Sequence, residues 1–447
     1  MSGEFDLLIR GGLCVTPSGV VEADIGVTEG RIAALGTFAH VKARKIFEVR
    51  GLTILPGVID THVHFREPGH LEKEDMETGS KAAILGGVTA VFEMPNTAPP
   101  ATTAERAVDK LSRAKGRMHC DYAFYIGATE GNAGALYALE RMEGIAGVKA
   151  FLGSSTGTLL LDKEAAIVKA LKSGSRRMSV HSEDEARLKE RAHLAMPGDP
   201  STHPIWRDVE TARKSTERIL CLARNAARRI HVLHMTTAEE LPLLASTRDF
   251  ATAEAVVPHL TLSSPECYER LGTYAQMNPP IREARHREAL WQAVNEGLID
   301  VVGSDHAPHT RGDKDGIYPQ TASGMPGVQT LVTLMLDHAH HGRVSLPRLA
   351  DLTSAGPARV FGIAGKGRIA LGYDADFTIV DTRARRRIEN SWIASRCGWT
   401  PYAGMTTMGW PMATVLRGRI AMRDGEVLGP AEGRPLRFLE TLAPIAG

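Results

Sequence analysis

Cysteine is scarce. Cys14, Cys120, Cys221, Cys267 and Cys397 are spread over 447 residues, and no two form a CxxC pair. A cysteine zinc site and a disulfide framework are therefore not expected, and reduced thiols in a reducing compartment are. Charge of one sign is also lacking. The 53 Lys and Arg nearly cancel the 52 Asp and Glu, and no basic stripe or acidic block stands out. Nothing here suits nucleic acid or an anionic membrane surface. No apolar run approaches the roughly 20 residues of a membrane helix. The opening MSGEFDLLIRGG is acidic early and its apolar stretch is short, so no signal peptide is expected. No glycine-rich dinucleotide fingerprint or phosphate loop follows a strand, which counts against a doubly wound nucleotide binder. Internal repeats and low-complexity tracts are absent. What remains is a cytoplasmic globular protein, 43% hydrophobic and 23% charged, whose partner is a small molecule.

The chain changes texture twice. FDLLIRGGLCVTP, ADIGVTEGRIAALG and KIFEVRGLTILPG near the start, and GRIALGYDADFTIVD and MATVLRGRIAMRDGEVLG near the end, alternate apolar and polar residues between Gly and Pro breaks, as short strands do. Between them, apolar strands such as GVTAVFEMPN, MHCDYAFYIGA, AGVKAFLGS, MSVHSED, IHVLHMT and IDVVGSDHAP alternate with helix-forming segments such as ERAVDKLSRAKG and REALWQAVNEG. This pattern predicts an α/β protein: a (β/α)8 TIM-like barrel over residues 57–363, with a small β-sandwich domain built from residues 1–56 and 364–447. Polar residues crowd the C-terminal ends of the central strands, where barrel enzymes place their chemistry.

His62 and His64 lie two apart after the apolar run TILPGVI, so in a strand they share a face. An HxH alone is a weak signal. However, His181 ends MSVH, His234 ends IHVLH and Asp305 ends IDVVGSD. Four histidines and an aspartate, each where a strand stops, make a metal site at one barrel mouth the economical reading. Lys149 sits within the apolar strand GVKAFLG. It is either paired with an acid, or snorkelling to water, or carboxylated by carbon dioxide to an anion able to bridge two cations. Asp305, beside a metal-activated water, can act as catalytic base and then acid. In GSDHAPH, His309 is the better candidate for touching substrate, and His306 for packing.

The order HxH, Lys, His, His, Asp along a β/α barrel resembles the amidohydrolase superfamily. DTHVHFREPG, EMPNT, KAFLGSSTG, HSEDE, NPPIR and SDHAPHT resemble the dihydroorotases more narrowly. The resemblance implies two divalent metals, usually zinc, held by His62, His64 and Asp305 and by His181 and His234, with carboxylated Lys149 between them. It implies substrate contacts from Arg66, Asn96, Asn278 and His309, and from Pro326 and Gly327 of the glycine-rich stretch. Arg66 would clamp the ring carboxylate of dihydroorotate; a surface ion pair with Glu67 is its bland alternative. It also implies a homo-oligomer, dimer or tetramer. One departure stands out: the family often has Glu before Thr330, and this chain has Gln329. Two alternatives remain. An allantoinase, hydantoinase or dihydropyrimidinase would use the same metal centre on an uncharged ring, and a metal-free scaffold would have lost ligands.

Overall fold

A computed structural model describes residues 4–38, 40–155 and 158–442; Thr156 and Gly157 of the KAFLGSSTG motif lie outside them. The N-terminal part forms β1 (Phe5–Thr16), β2 (Gly19–Thr28), β3 (Arg31–Gly36), β4 (Ala43–Glu48) and β5 (Thr53–Pro56). The central part supplies β6 (Val58–Val63), β7 (Val88–Glu93), β8 (Asp121–Gly127), β9 (Ile145–Phe151), β10 (Met178–His181), β11 (Ile230–Val232), β12 (Ala251–Val256) and β13 (Val301–Gly303). The last part adds β14 (Phe377–Arg387), β15 (Thr406–Leu416), β16 (Arg419–Arg423) and β17 (Glu426–Val427).

Strands β6 to β13 pair in parallel, in chain order, as one eight-stranded sheet. Their apolar side chains are buried on both faces, which explains why they read as continuous hydrophobic runs. The sheet closes just beyond β13: His64 N donates to His306 O at 2.7 Å, and His306 N to His62 O at 3.2 Å. The same two strand ends that carry the HxH pair and Asp305 therefore meet at the barrel seam. Crossover helices begin on side-chain caps; Thr103, Asp184 and Asp208 each accept from a first-turn amide of helices Ala104–Ala114, Glu185–Arg191 and Val209–Asn225.

The strands of the two chain ends hydrogen-bond into one nine-stranded sheet, in the order β3–β2–β1–β5–β14–β15–β16–β17, with β4 beside β1. The join is antiparallel, Ile54 opposite Ile379. Leu7, Ile9, Ile25 and Val27 from one end share a core with Phe377, Ile379 and Val415 from the other. The chain then crosses back. Tyr122 N donates to Arg434 O and Leu436 N to Tyr122 O, and Leu436 and Phe438 enter the barrel core beside Phe92 and Phe361. No described helix is long and apolar enough to cross a membrane.

Candidate metal centre and substrate cavity

His62, on β6, and His64, one residue past it, direct Nε2 at Asp305 Oδ1 from 3.2 and 3.3 Å. Their other ring nitrogens are occupied. His62 Nδ1 donates to Glu254 Oε1 and His64 Nδ1 to Asn96 Oδ1, both at 2.7 Å. Those bonds leave the lone pair on Nε2, so the two imidazoles and the Asp305 carboxylate present three converging donors, all within 4.8 Å of one another. A second pair lies alongside. His181 Nε2 donates to Glu183 Oε2 at 2.9 Å, which turns Nδ1 toward His234 Nε2 at 3.0 Å. The His62 and His234 ring centroids are 5.3 Å apart, so the two groups are neighbours.

Lys149 projects from β9 between them. Its side chain is fully buried, Nζ has no hydrogen-bond partner among the described residues, and the Phe151 ring centroid lies 4.6 Å away. Burial pushes its pKa down to about 7, against the pull of Asp305 and Glu254. A neutral amine surrounded by imidazole lone pairs and a carboxylate fits a centre for divalent ions with nitrogen and oxygen donors. Burial would raise the Asp305 pKa, but His62 and His64 outweigh it and hold the carboxyl well below its usual range. Burial lowers His64 to about 4 and keeps His181 and His234 below the ordinary imidazole value.

Backbone strain concentrates here. Arg66, His234 and Asp305 have φ of 63°, 36° and 46°, a region non-glycine residues occupy at a cost of about 1–3 kcal/mol each. The surrounding hydrogen bonds hold them in it. Asp60 Oδ1 accepts from His62 N and Ser304 N at 3.2 and 3.1 Å, tying the seam strands together. A Cβ on Gly303 would stand 2.9 Å from Glu254 Oε2, so this glycine lets the carboxylate reach His62.

The donors line a narrow cavity with Arg66, Asn96, Phe151, Ser155, Asn278, Ser323 and Gly324. Arg66 does not pair with Glu67. That carboxylate is taken by Arg117, at 2.7 and 3.1 Å. Arg66 Nε instead donates to Pro308 O at 3.1 Å, and no described carboxylate lies within ion-pair distance of its guanidinium. Asn278 Oδ1 accepts from His203 Nε2 at 3.0 Å. His309 lines an adjoining outer space of about 480 Å³ that shares Ser155, Asn278 and Ser323 with the inner cavity.

Two of the expected contacts are not among the residues lining the metal cavity. Pro326 and Gly327 flank a small space with His306, Gln329, Ser395 and Thr400, not the metal cavity. The cause is His306, whose Nδ1 accepts from Gly327 N at 3.0 Å and draws that turn behind the seam. Gly324 and Ser323 reach the cavity in their place. Gln329 explains its own departure. Its amide donates to Trp392 O at 2.6 Å and accepts from Ala394 N at 2.8 Å, a two-way clamp a carboxylate could not make. Sequence reasoning missed Glu254 and Glu183 altogether; HSEDE carried the only hint of the second.

Comparison with known proteins follows the same lines. A model of the amidohydrolase family matches residues 53–185 and 218–421. The chain is 37% identical to a dihydroorotase of Halobacterium salinarum over 93% of its own length and 96% of the relative's. It is 36% identical to an allantoinase of Rubrobacter xylanophilus, over 97% and 98%. An L-hydantoinase (dihydropyrimidinase) structure from Arthrobacter aurescens superposes with a TM-score of 0.92 at 28% identity, covering 97% of this chain and 100% of that one.

Proposed function

The chain belongs to the amidohydrolase family, among hydrolases of cyclic amides, and on that premise we propose that it interconverts L-dihydroorotate and N-carbamoyl-L-aspartate in pyrimidine synthesis. The observation that carries this reading is Arg66, a buried guanidinium in the cavity wall without a carboxylate of its own. A buried cation lacking a counter-charge is costly. The ring carboxylate of dihydroorotate supplies that charge in a geometry matching the guanidinium fork. The Halobacterium relative supports the same substrate.

In this reading His62, His64 and Asp305 would hold one divalent ion and His181 and His234 a second, with Lys149, carboxylated by carbon dioxide, as a ligand available to both; zinc is the metal we assign. When bound, such ions supply Lewis acidity and lower the pKa of a coordinated water. Glu254, Asn96 and Glu183 keep the imidazole lone pairs aimed inward. Arg66 and His309 fix the carboxylate, and Asn96 and Asn278 border the ring. Asp305, held ionised, takes a proton from the attacking water and returns it to the ring nitrogen as the C–N bond breaks. The water oxygen ends in the new carboxylate and the nitrogen in the ureido group. The reverse sequence closes the ring. We assign the protein to the cytoplasm as a homo-oligomer, dimer or tetramer, to be checked by light scattering.

One observation favours a second reading, an allantoinase or hydantoinase: the outer space beside His309 has room for a ring substituent, and relatives bearing those names align over nearly the whole chain. The zinc-supplied protein should be given L-dihydroorotate, allantoin, hydantoin and dihydrouracil in parallel. Turnover of dihydroorotate alone is expected. Preferential turnover of an uncharged ring would move the protein to the second reading with its metal chemistry intact.

A further inference from the structure

His309 sits among cations. Lys73 Nζ lies 3.2 Å from its Nδ1, and Arg66 Nη2 lies 3.1 Å from its Nε2. Ser323 O is also 3.1 Å from Nε2. An ammonium only donates and a carbonyl only accepts. Both neighbours are satisfied by one tautomer, with the proton on Nε2 and the lone pair on Nδ1; the other tautomer satisfies neither. Lys314 reinforces the arrangement. Its buried Nζ donates to Gln276 O at 3.1 Å, Ala322 O at 2.7 Å and Gly324 O at 3.0 Å, fixing the turn that carries Ser323. Gly324, at φ 139°, is required where it stands, because a Cβ there would lie 2.7 Å from Ala307 O and 3.1 Å from His309 Nε2.

With the proton on Nε2, Arg66 Nη2 faces a second donor. Two N–H groups 3.1 Å apart can share one acceptor, and a carboxylate oxygen is such an acceptor. We propose that Lys73 is a positioning residue that holds His309 in its Nε2–H tautomer, so that His309 and Arg66 together bind the anionic end of the substrate. The substrate part rests on the dihydroorotase reading; the tautomer part does not. The charged groups facing His309 are Arg66, Lys73 and Lys314, with Asp313 3.4 Å from Lys73 Nζ.

The test is nitrogen NMR of the zinc-loaded protein labelled with 15N-histidine, the His309 signals being identified by their loss in His309→Gln. The wild type should show a single Nε2–H tautomer. Lys73→Met should move the His309 ring signals toward a mixture of tautomers, and Lys73→Arg should restore them. In kinetics, Lys73→Met should raise KM for dihydroorotate about three- to tenfold, the worth of one hydrogen bond, with kcat changed less and with any slow turnover of dihydrouracil unaffected. An unmoved His309 spectrum in Lys73→Met, or an equal loss on both rings, would overturn the proposal. A shifted spectrum in an enzyme that never turns over dihydroorotate would uphold the positioning role and remove the dihydroorotase reading.

Discussion

Replacing Arg66 by Gln separates a carboxylate clamp from a merely structural arginine. The guanidinium is 3% exposed and has one protein hydrogen bond of clear direction, from Nε to Pro308 O at 3.1 Å. Each charge-assisted hydrogen bond to a substrate carboxylate contributes about 1.5–3 kcal/mol. A bidentate pair therefore accounts for about 3–6 kcal/mol, and at ~1.4 kcal/mol per tenfold the loss in kcat/KM for dihydroorotate is about 10²- to 10⁴-fold. Dihydrouracil has the same ring without the carboxylate, so its slower turnover should change by no more than about threefold. Stability should barely move. Arg66 has no carboxylate partner to leave orphaned, and the bond lost to Pro308 O is worth about 1 kcal/mol. Arg66→Lys keeps the charge without the fork and should recover only part of the loss. The assay is ring opening followed by absorbance on both substrates, beside a thermal melt. Equal losses on the two rings, or undiminished dihydroorotate turnover, would refute the clamp.

Four other outcomes are expected. Glu254→Gln removes the carboxylate that His62 Nδ1 donates to at 2.7 Å, and zinc affinity measured by competition with a chelator should fall about 10- to 100-fold. Lys149→Ala should lose metal and activity together, with partial rescue by a short carboxylic acid, as metal analysis and turnover will show. Zinc reconstitution of metal-free protein in bicarbonate should accelerate as pH rises through about 7, because below the lowered Lys149 pKa the ammonium cannot react with carbon dioxide and above it the amine can; a rate flat from pH 6 to 9 would count against a carbamate. Phe438→Ala empties a barrel-core position whose ring centroid lies 6.0 Å from that of Phe92; it should cost about 3–5 kcal/mol by denaturant titration and leave kcat at 25 °C unchanged.

The donor residues were legible because each ends an apolar run, and an apolar run is what a buried parallel strand requires. Strand β12 was not legible for the same reason. Its sequence, ATAEAV, is small and polar where a strand should be bulky and apolar, because Glu254 must face the barrel interior to reach His62. The function disrupts the pattern that would reveal the element. Arg66, His234 and Asp305 also hide their strain, since a non-glycine residue gives no sign in sequence of a positive φ. Pro326 and Gly327 were expected at the substrate because their glycine-rich stretch resembles a family loop that touches it through backbone groups. Three residues of chain suffice to carry a turn out of the cavity, and His306 draws this one away. The return of Leu436 and Phe438 to the barrel core was invisible because two isolated apolar residues have no period.

The chemistry and the specificity of this site rest on different parts of the fold. All six residues proposed for the metal centre stand on barrel strands or within two residues of their ends, fixed by the fold whatever the ring to be opened. Arg66, His309, Ser323 and Gly324 stand on the loops beyond, and on the proposed reading those loops select a ring that carries a charge. A dihydroorotase at 37% and an allantoinase at 36% align almost equally well with the chain. On the dihydroorotase reading, discrimination rests on the few loop residues around Arg66, whose guanidinium has no described carboxylate within ion-pair distance and can take the one a charged ring brings.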